Sequence, residues 1–320
     1  MTIYAARSIN RQPIHLTGGD RRISPGTSLP PNLGFVQRHP FRVLYPRFMK
    51  KSLKYREVIE DVRRVVVKIG SRVLVQRTGR PDVRRMDALI TELAALQKAG
   101  KEVVLVSSGS IAAGMESLGM RVRPTELPEL QMAAAVGQTR MMSRYEALFG
   151  KQGCKVGQVL LTHDNFEHKV TLTNARRTMD ALIRHGVIPI INENDVVANE
   201  EIRAVASVGD NDFMASLVVK LIRADLLVLL STVDGVRDIS DTGRSRRIPY
   251  FETIDRSTFK LVKHGESHLS KGGMATKLKA AKAVADAGCT SVIANGRQAS
   301  VLTRIMNGED VGTIILASGL

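Results

Sequence analysis

The sequence predicts an α/β protein in which a mainly parallel open sheet lies between two layers of helices, a three-layer αβα sandwich. One observation is a set of nearly continuous apolar runs, such as VVVKI from Val65 and VVLV from Val103, which are typical of strands buried on both faces. The other is that segments with apolar residues at helical spacing separate these runs. Strands that alternate with helices form parallel sheets with both faces covered.

A repeated unit of helix, glycine and strand places the elements along the chain. Residues 54–61 are expected to lead into the first strand, and residues 238–247, rich in Gly, Ser and charge, to form an exposed loop or hairpin. A lobe boundary is expected near residue 224. The three clearest units are Met86, Leu89, Ile90, Leu93 and Leu96 before VVLVS; Ala175, Met179, Leu182 and Ile183 before VIPII; and Leu278, Ala281, Val284 and Ala285 before TSVIA.

Residues 1–60 are predicted to be a basic, Pro/Arg-rich and largely disordered extension before a folded domain over residues 61–320. Residues 1–48 contain six of the eleven prolines, and seven arginines against one aspartate, a composition that disfavours a packed core. Three interpretations of this segment stay open. It is a misassigned extension upstream of a natural start at Met49, a targeting segment, or an ordered accessory arm.

The composition of the chain favours some classes of function and disfavours others. The formal charge of +16 favours anionic ligands, because Lys and Arg neutralise phosphate groups. Dedicated nucleic-acid binding is disfavoured, since aromatic residues make up only 4% and Trp is absent, which leaves few platforms for base stacking. No stretch approaches the roughly 18 to 20 apolar residues of a membrane span. The two cysteines lack metal-ligand spacing, so we expect buried thiols in a reducing compartment, the cytoplasm.

Polar side chains follow the last apolar residues of four predicted strands. These are Lys68, Ser108, Asp195 and Ser231. Because ligands bind beyond the carboxyl ends of parallel strands, the four are expected to face one crevice. The sequence lacks a Walker phosphate loop and a dinucleotide fingerprint, and its seven histidines are scattered. Lys68 beside Gly70 and Ser71 is therefore the best candidate for a site that an anion approaches closely.

Two further segments carry residues suited to phosphate chemistry. KGGMATK (271–277) opens a predicted helix, where backbone amides and Lys277 favour a phosphate, although an ordinary helix cap is the alternative. The clusters NEND (192–195) and GDND (209–212) either form Asx-turns or contribute to the site. Phosphoryl transfer needs positioning and positive charge on the migrating group. Two lysines, glycine amides, a magnesium ion and an Asp between the lysines would supply both.

Seven motifs together resemble the glutamate 5-kinases of the amino acid kinase family. In chain order they are VVKIGS, SSGSIAAG, AAVGQ, GQVLLT, VIPIINENDVV, VGDND and KGGMATKLKAA, and the resemblance runs from about Val65 to Thr313. Single motifs are shared with acetylglutamate, aspartate, uridylate and carbamate kinases, whereas the combination of SSGSIAAG, INEND and VGDND is more specific.

The resemblance implies the amino acid kinase fold and transfer of the γ-phosphoryl group of ATP to the γ-carboxylate of L-glutamate, the first step towards proline. It implies ATP and Mg²⁺ as cofactors, with the metal held mainly by ATP and not by protein ligands. Residues from about 61 to 223 would then form a glutamate-binding lobe, and those from about 224 to 320 a nucleotide-binding lobe. A carboxylate of pKa near 4.3 needs no general base, which agrees with the scattered histidines.

The resemblance also assigns roles to residues. The catalytic residues would be Lys68, Asp212 and Lys277, with Asp212 organising the two lysines. Glutamate would be bound by Ser108, Gly109, Asn192, Asp195 and Asn211. The nucleotide would be bound by Lys68, Gly70, Ser71, Ser231, Thr232, Lys271, Gly272, Gly273, Met274, Ala275, Thr276 and Lys277. Our further hypothesis is that Asp195 accepts the α-ammonium, and that Asn211 and backbone amides bind carboxylate oxygens.

Departures from the family pattern and expected partners complete the interpretation. Ser231-Thr232 stands where Thr-Asp or Ser-Asp is frequent, and Lys271 replaces a smaller residue. Many bacterial members continue into a PUA domain, and this chain, which reads to Leu320, is expected to be the kinase domain alone. A homodimer or homotetramer, inhibition by proline and a glutamyl phosphate reductase as partner are implied. The alternatives are another phosphotransferase of the family, acting on acetylglutamate, aspartate or a small phosphate, and a non-catalytic nucleic-acid-binding relative.

Overall fold

Eight strands form one sheet in the computed structural model of the chain, which describes residues 56–76, 81–197, 210–239, 245–263 and 273–319. The described strands are β1 Arg64–Ile69, β2 Glu102–Val106, β3 Lys155–Leu161, β4 Val187–Glu193, β5 Leu226–Ser231, β6 Arg237–Ile239, β7 Ser245–Arg247, β8 Tyr250–Phe251, β9 Thr290–Asn295 and β10 Gly312–Ile315. All except β6 and β7 belong to the sheet, in the order β3-β4-β2-β1-β5-β9-β10-β8, and every neighbouring pair is parallel except β9 and β10.

Helices connect most of these strands and lie on both faces of the sheet. They are α1 Arg56–Glu60, α2 Val83–Lys98, α3 Ser110–Ser117, α4 Leu127–Lys151, α5 Asp164–Glu167, α6 Lys169–Arg184, α7 Asp210–Ile222, α8 Arg256–Lys263, α9 Gly273–Ala285 and α10 Val301–Met306, with a 3₁₀ turn at Ser71–Val73. None of the described helices is long and apolar enough to cross a membrane.

The alternation of side chains along β1 shows how the two cores form. Val65, Val67 and Ile69 are buried in a core that also contains residues of α2, α4 and α10, whereas Val66 is buried with residues of α6, α7 and α9. Successive side chains of a strand point to opposite faces, so Lys68 shares the face of Val66 and lies under α7 and α9. The three-layer arrangement with a mainly parallel sheet, predicted from the sequence, is confirmed.

The segment predicted as an exposed loop or hairpin contains a short two-stranded ribbon. Strands β6 and β7 pair antiparallel, with Arg237 opposite Arg247, and residues 240–244 between them lie outside the described residues. Most of the predicted extension, residues 1–55, also lies outside them. Strands from before residue 224 occupy one half of the sheet and later strands the other, with β1 and β5 adjacent at the centre. The functional division into two lobes stays a prediction.

Candidate active site

A buried carboxylate lies between two lysine side chains at the carboxyl end of β1. Lys68 Nζ is 2.8 Å from Asp212 Oδ1, and Lys277 Nζ is 2.8 Å from Asp212 Oδ2. The exposed fractions are 6% for Lys68, 1% for Asp212 and 8% for Lys277. Ion pairs with so little access to water are weakly screened. The three residues therefore form one electrostatic unit, which we call the lysine-aspartate cluster.

Three separate elements bring this cluster together. Lys68 belongs to β1, Asp212 to the first turn of α7, and Lys277 to α9. Thr276 Oγ1 donates a hydrogen bond of 3.1 Å to Asp212 Oδ2, and Lys277 Nζ also donates to the backbone oxygen of Gly273 at 3.1 Å. These bonds hold the start of α9 against the start of α7, and with it the position of the second lysine.

The charges in the cluster favour an anionic ligand. Burial alone would raise the pKa of Asp212, but the nearby ammonium groups of Lys68 and Lys277 outweigh burial, and the pKa is lowered from its ordinary value of 3.8. Asp212 is thus ionised at neutral pH. Two positive charges against one negative charge leave the cluster with +1, and a phosphate group is a chemically suitable counter-ion.

The backbone next to Lys68 is held close to the neighbouring strand. The amide of Gly70 donates to the backbone oxygen of Leu230 at 3.1 Å, and a Cβ at position 70 would lie 3.2 Å from that oxygen. Ser71 begins the 3₁₀ turn. The backbone oxygen of Ser231 accepts a bond of 2.8 Å from the amide of Gly296. Glycine thus permits β1 and β5 to end side by side.

The other residues predicted to bind the nucleotide lie at the ends of β5 and α9. Thr232, Met274 and Ala275 are half-buried, and Thr276 is buried against Asp212. Gly273 is the first residue of α9. Lys271 and Gly272 lie outside the described residues, so their predicted roles stay predictions.

Residues after β2 and β4 meet beside the cluster. Ser108 Oγ donates to the backbone oxygen of Ile69 at 3.0 Å, and Gly109 caps α3 with a φ of 110°, a left-handed conformation that favours glycine. Ser110 Oγ donates to Asp195 Oδ2 at 2.7 Å. The start of α3 therefore joins the end of β1 to the carboxylate that follows β4.

Buried side-chain amides that bond to one another lie next to these residues. Asn211 Nδ2 donates to the backbone oxygen of Ser107 and, at 3.2 Å, to Asn192 Oδ1. Asn192 Nδ2 donates to Gln138 Oε1 at 2.8 Å. Asn211 precedes Asp212 on α7, so these amides, which we call the amide chain, begin one residue from the lysine-aspartate cluster. The structure thus places Asn192 and Asn211 together.

Two glycines let the helices that carry Ser110 and Gln138 cross closely. A Cβ at Gly114 of α3 would lie 1.7 Å from the backbone oxygen of Ala133, and one at Gly137 of α4 would lie 1.7 Å from that of Ser110. No carbon atom fits at that distance. The α3–α4 contact therefore requires glycine at both positions, and it fixes the distance between the Asp195 and Gln138 sides of the site.

The described residues do not fit a metal ion held by protein side chains. They include no group of three His, Cys, Asp or Glu residues that could bind one. Both oxygens of Asp212 already face lysines. The expectation that Mg²⁺ is held mainly by ATP stays a prediction.

Comparison with known proteins identifies the family. The family model described as "Amino acid kinase family" matches residues 63–295. This chain belongs to the amino acid kinase family. The matched region includes every residue of the lysine-aspartate cluster and the amide chain, and the resemblance drawn from the motifs is confirmed.

Curated relatives of this amino acid kinase are named "Glutamate 5-kinase". The one from Pelobacter propionicus is 42% identical over 263 residues, which are 82% of this chain and 69% of the relative. The one from Streptomyces coelicolor is 45% identical over 266 residues, with the same coverage. The one from Listeria monocytogenes serotype 4b is 40% identical over 262 residues, 81% of this chain and 95% of the relative.

Solved structures support the fold of this amino acid kinase. A carbamate kinase from Giardia lamblia bound to AMP-PNP has a TM-score of 0.58 at 17% identity, over 81% of this chain and all of that one. A UMP kinase from Ureaplasma parvum has a TM-score of 0.54 at 14% identity, over 80% and 99% of the two chains. At these identities the likeness concerns the fold alone, and it confirms the predicted amino acid kinase fold.

Sequence reasoning missed two residues of the site in this amino acid kinase. Ser110 lies within the motif SSGSIAAG, and Gln138 ends the motif AAVGQ, but neither follows a strand or carries a charge. The signal that could have found Gln138 is a polar residue directly after the AAAVG run, Ala133 to Gly137, of α4. Only the folded chain shows that this residue meets Asn192.

Proposed function

We propose that this chain is a glutamate 5-kinase, which transfers the γ-phosphoryl group of ATP to the γ-carboxylate of L-glutamate and forms L-glutamyl 5-phosphate, the first step of proline biosynthesis. The observation that carries the proposal is a buried, net-positive lysine-aspartate cluster that hydrogen-bonded amides link to a recess lined by Gln138, Glu193 and Asp195. Relatives with this name at 40–45% identity support it.

In this proposal, the lysine-aspartate cluster binds and stabilises the phosphoryl group during its transfer. Lys68 contacts the phosphates of ATP and Lys277 neutralises charge on the migrating group, while Asp212 holds the two ammonium groups in place. A bond forms between a γ-carboxylate oxygen and the γ-phosphorus, the bond from that phosphorus to the β-phosphate oxygen breaks, and ADP leaves. Mg²⁺ bound to ATP would add positive charge at the phosphates. Catalysis of this kind depends on positioning and on positive charge around the transferred group.

The γ-carboxylate of glutamate can act as the nucleophile without first losing a proton. A glutamate side chain with a pKa near 4.3 is ionised at pH 7, so a general base would have nothing to accept. Asp195, held by Ser110, lies in the recess beside the amide chain and is suited to the α-ammonium of the substrate. Ser108 bonds to the end of β1, and Ser110, two residues later, bonds to Asp195, so this segment is suited to guide the γ-carboxylate towards the phosphoryl group.

The chemistry of the product distinguishes this function from others in the family. An acyl phosphate reacts with hydroxylamine to give a hydroxamate, whereas a phosphoanhydride made from a small phosphate does not. The experiment is an ATP-dependent hydroxamate assay with L-glutamate, N-acetylglutamate and aspartate, with Lys68→Ala as the inactive control. We expect hydroxamate from L-glutamate at least about tenfold faster than from the other two.

Two results would contradict the proposal. Turnover with N-acetylglutamate or aspartate in preference to glutamate would indicate another kinase of the family. Absence of ATP turnover, combined with tight and salt-sensitive RNA binding, would indicate a non-catalytic relative.

Association and location are part of the same proposal. We expect a homodimer or homotetramer in the cytoplasm. Because acyl phosphates hydrolyse and cyclise readily, a reductase that consumes the product is the expected partner enzyme. Size measurement by light scattering and co-purification with glutamyl phosphate reductase test these expectations.

A further inference from the structure

The amide chain joins three elements through hydrogen bonds between side chains. Asn211 of α7 donates through Nδ2 to Ser107 O and to Asn192 Oδ1, and Asn192 of β4 donates through Nδ2 to Gln138 Oε1 of α4. Asn192 is 3% exposed and Asn211 is 8% exposed. Buried amides of this kind are constrained to one orientation by their partners.

The backbone oxygen of Ser107 sets the direction of the whole chain. A carbonyl oxygen only accepts hydrogen bonds, so Asn211 has to turn its NH₂ group towards Ser107. The second hydrogen of that group faces Asn192, which must present its oxygen and therefore turns its own NH₂ group to Gln138. Gln138 must in turn present Oε1 to Asn192. Its Nε2 group consequently points away from the chain.

Gln138 Nε2 is the donor at the open end of this arrangement. The atom is buried and has no hydrogen-bond partner among the residues that the structure describes. Buried donors are seldom left unpaired, because the loss of water is not compensated. Gln138 also lines a recess whose other polar side chains are Glu193, Asn194 and Asp195. A ligand atom that accepts hydrogen bonds is therefore expected in this recess.

We propose that Gln138 Nε2 donates to the α-carboxylate of the acceptor amino acid and determines specificity for it. The inference rests on the proposed function. The α-ammonium and the α-carboxylate share one carbon, so Asp195 and Gln138, which line one recess, can each contact one of these groups at its opening. Hydrogen bonds to a charged acceptor are stronger than those to a neutral one, so the α-carboxylate is preferred over an α-amide.

The same arrangement changes the role expected for Asn211. Both hydrogens of its NH₂ group are engaged by Ser107 and Asn192. Its side chain can contact a substrate only through Oδ1, which accepts hydrogen bonds. Asn211 therefore positions Asn192 and Gln138, and the carboxylate oxygens that we assigned to Asn211 from the sequence are bound by Gln138.

The test compares L-glutamate with its α-amide, isoglutamine, in the wild type and in Gln138→Glu. This substitution keeps an oxygen towards Asn192 and replaces only the free NH₂ group. We expect kcat/KM for glutamate to fall about 100-fold, through KM, because a carboxylate would face a carboxylate. The α-amide can donate to the new oxygen, so the ratio of kcat/KM for isoglutamine to that for glutamate should rise by about 100-fold.

Two further variants make the result decisive. Gln152→Glu changes the same chemical group at the end of α4, where the side chain bonds to Thr91, and should leave the ratio unchanged. Asn192→Asp leaves Gln138 unchanged, but the new carboxylate at position 192 can only accept hydrogen bonds from it. Gln138 would then turn Nε2 to position 192 and its oxygen to the recess, and the preference should shift towards isoglutamine as in Gln138→Glu.

The wild type must first form hydroxamate from glutamate, and each variant must have a melting temperature that shows it is folded. The inference is then overturned if Gln138→Glu or Asn192→Asp keeps the wild-type ratio of kcat/KM for isoglutamine to that for glutamate. A wild type with no glutamate turnover would overturn the proposed function instead, before the variants are compared.

Discussion

Lys68 and Lys277 are bound by opposite oxygens of one carboxylate, each at 2.8 Å from Asp212. The two lysines come from β1 and from α9, near opposite ends of the described chain. Two ammonium groups would repel each other this close together, and the carboxylate between them removes that repulsion. Asp212 therefore lets two cations occupy one buried region.

Replacing Lys68 should reduce the rate of the chemical step more than substrate binding. Lys68→Ala removes the positive charge that we propose acts on the phosphates, and Lys68 does not line the recess of Asp195 and Gln138. We expect kcat to fall about 100-fold or more with a change of less than about threefold in the KM for glutamate. Steady-state kinetics measure both, with Lys279→Ala, an exposed lysine of α9, as the control. A large rise in KM with unchanged kcat would show that the site is misassigned.

Removing the charge of Asp212 should destabilise the protein in a way that a polyphosphate reverses. Asp212→Asn leaves two buried lysines without a counter-ion, which costs about 3–5 kcal/mol in the free energy of unfolding. The local charge rises from +1 to +2, so tripolyphosphate should raise the melting temperature of the variant more than that of the wild type. Thermal unfolding with and without tripolyphosphate tests this. An equal rise in both proteins would mean that the cluster does not bind phosphate.

The contribution of Asp212 to stability should disappear only in acid. Its pKa in the folded protein is lowered from 3.8, so the stabilisation is fully present above the ordinary pKa and is lost as the pH falls through the lower, folded pKa. Urea unfolding of wild type and Asp212→Asn from about pH 3 to pH 7 measures the difference. We expect it to be constant above about pH 5 and to shrink below pH 3.8. A difference that grows in acid would contradict this cause.

Two glycine-to-alanine changes on α4 should have opposite effects. Gly137→Ala places a methyl group 1.7 Å from the backbone oxygen of Ser110, which forces α3 and α4 apart and should cost about 3 kcal/mol or more. Gly150→Ala meets no atom within 4 Å and should stabilise the helix by about 0.5–1 kcal/mol. Chemical denaturation measures both. Similar effects for the two variants would contradict the close crossing of the helices.

The two cysteines should differ in reactivity. Burial, together with the charge of Asp225, raises the pKa of Cys289 to about 12, so very little thiolate exists at pH 8. Cys154 is half-buried, a departure from the expectation that both thiols are buried. Iodoacetamide should label Cys154 in the native protein and Cys289 only after unfolding. Mass spectrometry of digested samples, with Cys154→Ser as control, measures the labelling. Modification of Cys289 in the native protein would contradict the prediction.

The fold was largely predictable because its causes are local. Strands such as Val65–Ile69 are recognisable from continuous apolar residues, and helices from apolar residues every three or four positions. The order of the strands was not predictable in this way. That β9 and β10 pair antiparallel at one edge depends on contacts between segments distant in the chain, and β-pairing is decided by such contacts more than by local preference.

The site was predictable where residues follow strand ends. Lys68, Ser108 and Asp195 could be placed at one edge of the sheet, since parallel strands end together. Gln138 could not, because a polar residue inside a helix gives no local indication of what its helix packs against. Its partner Asn192 lies on a strand that is separated from α4 by β3 and two helices along the chain.

The sequence by itself determined the α/β class, the charged residues that end the strands, and the motifs that indicate the family. Only the tertiary structure decided that both lysines share Asp212, and that Gln138 turns its Oε1 towards Asn192. The reason is physical: apolar periodicity and chain ends are properties of neighbouring residues, whereas the direction of a hydrogen bond depends on which distant acceptor, here the backbone oxygen of Ser107, folding brings into contact.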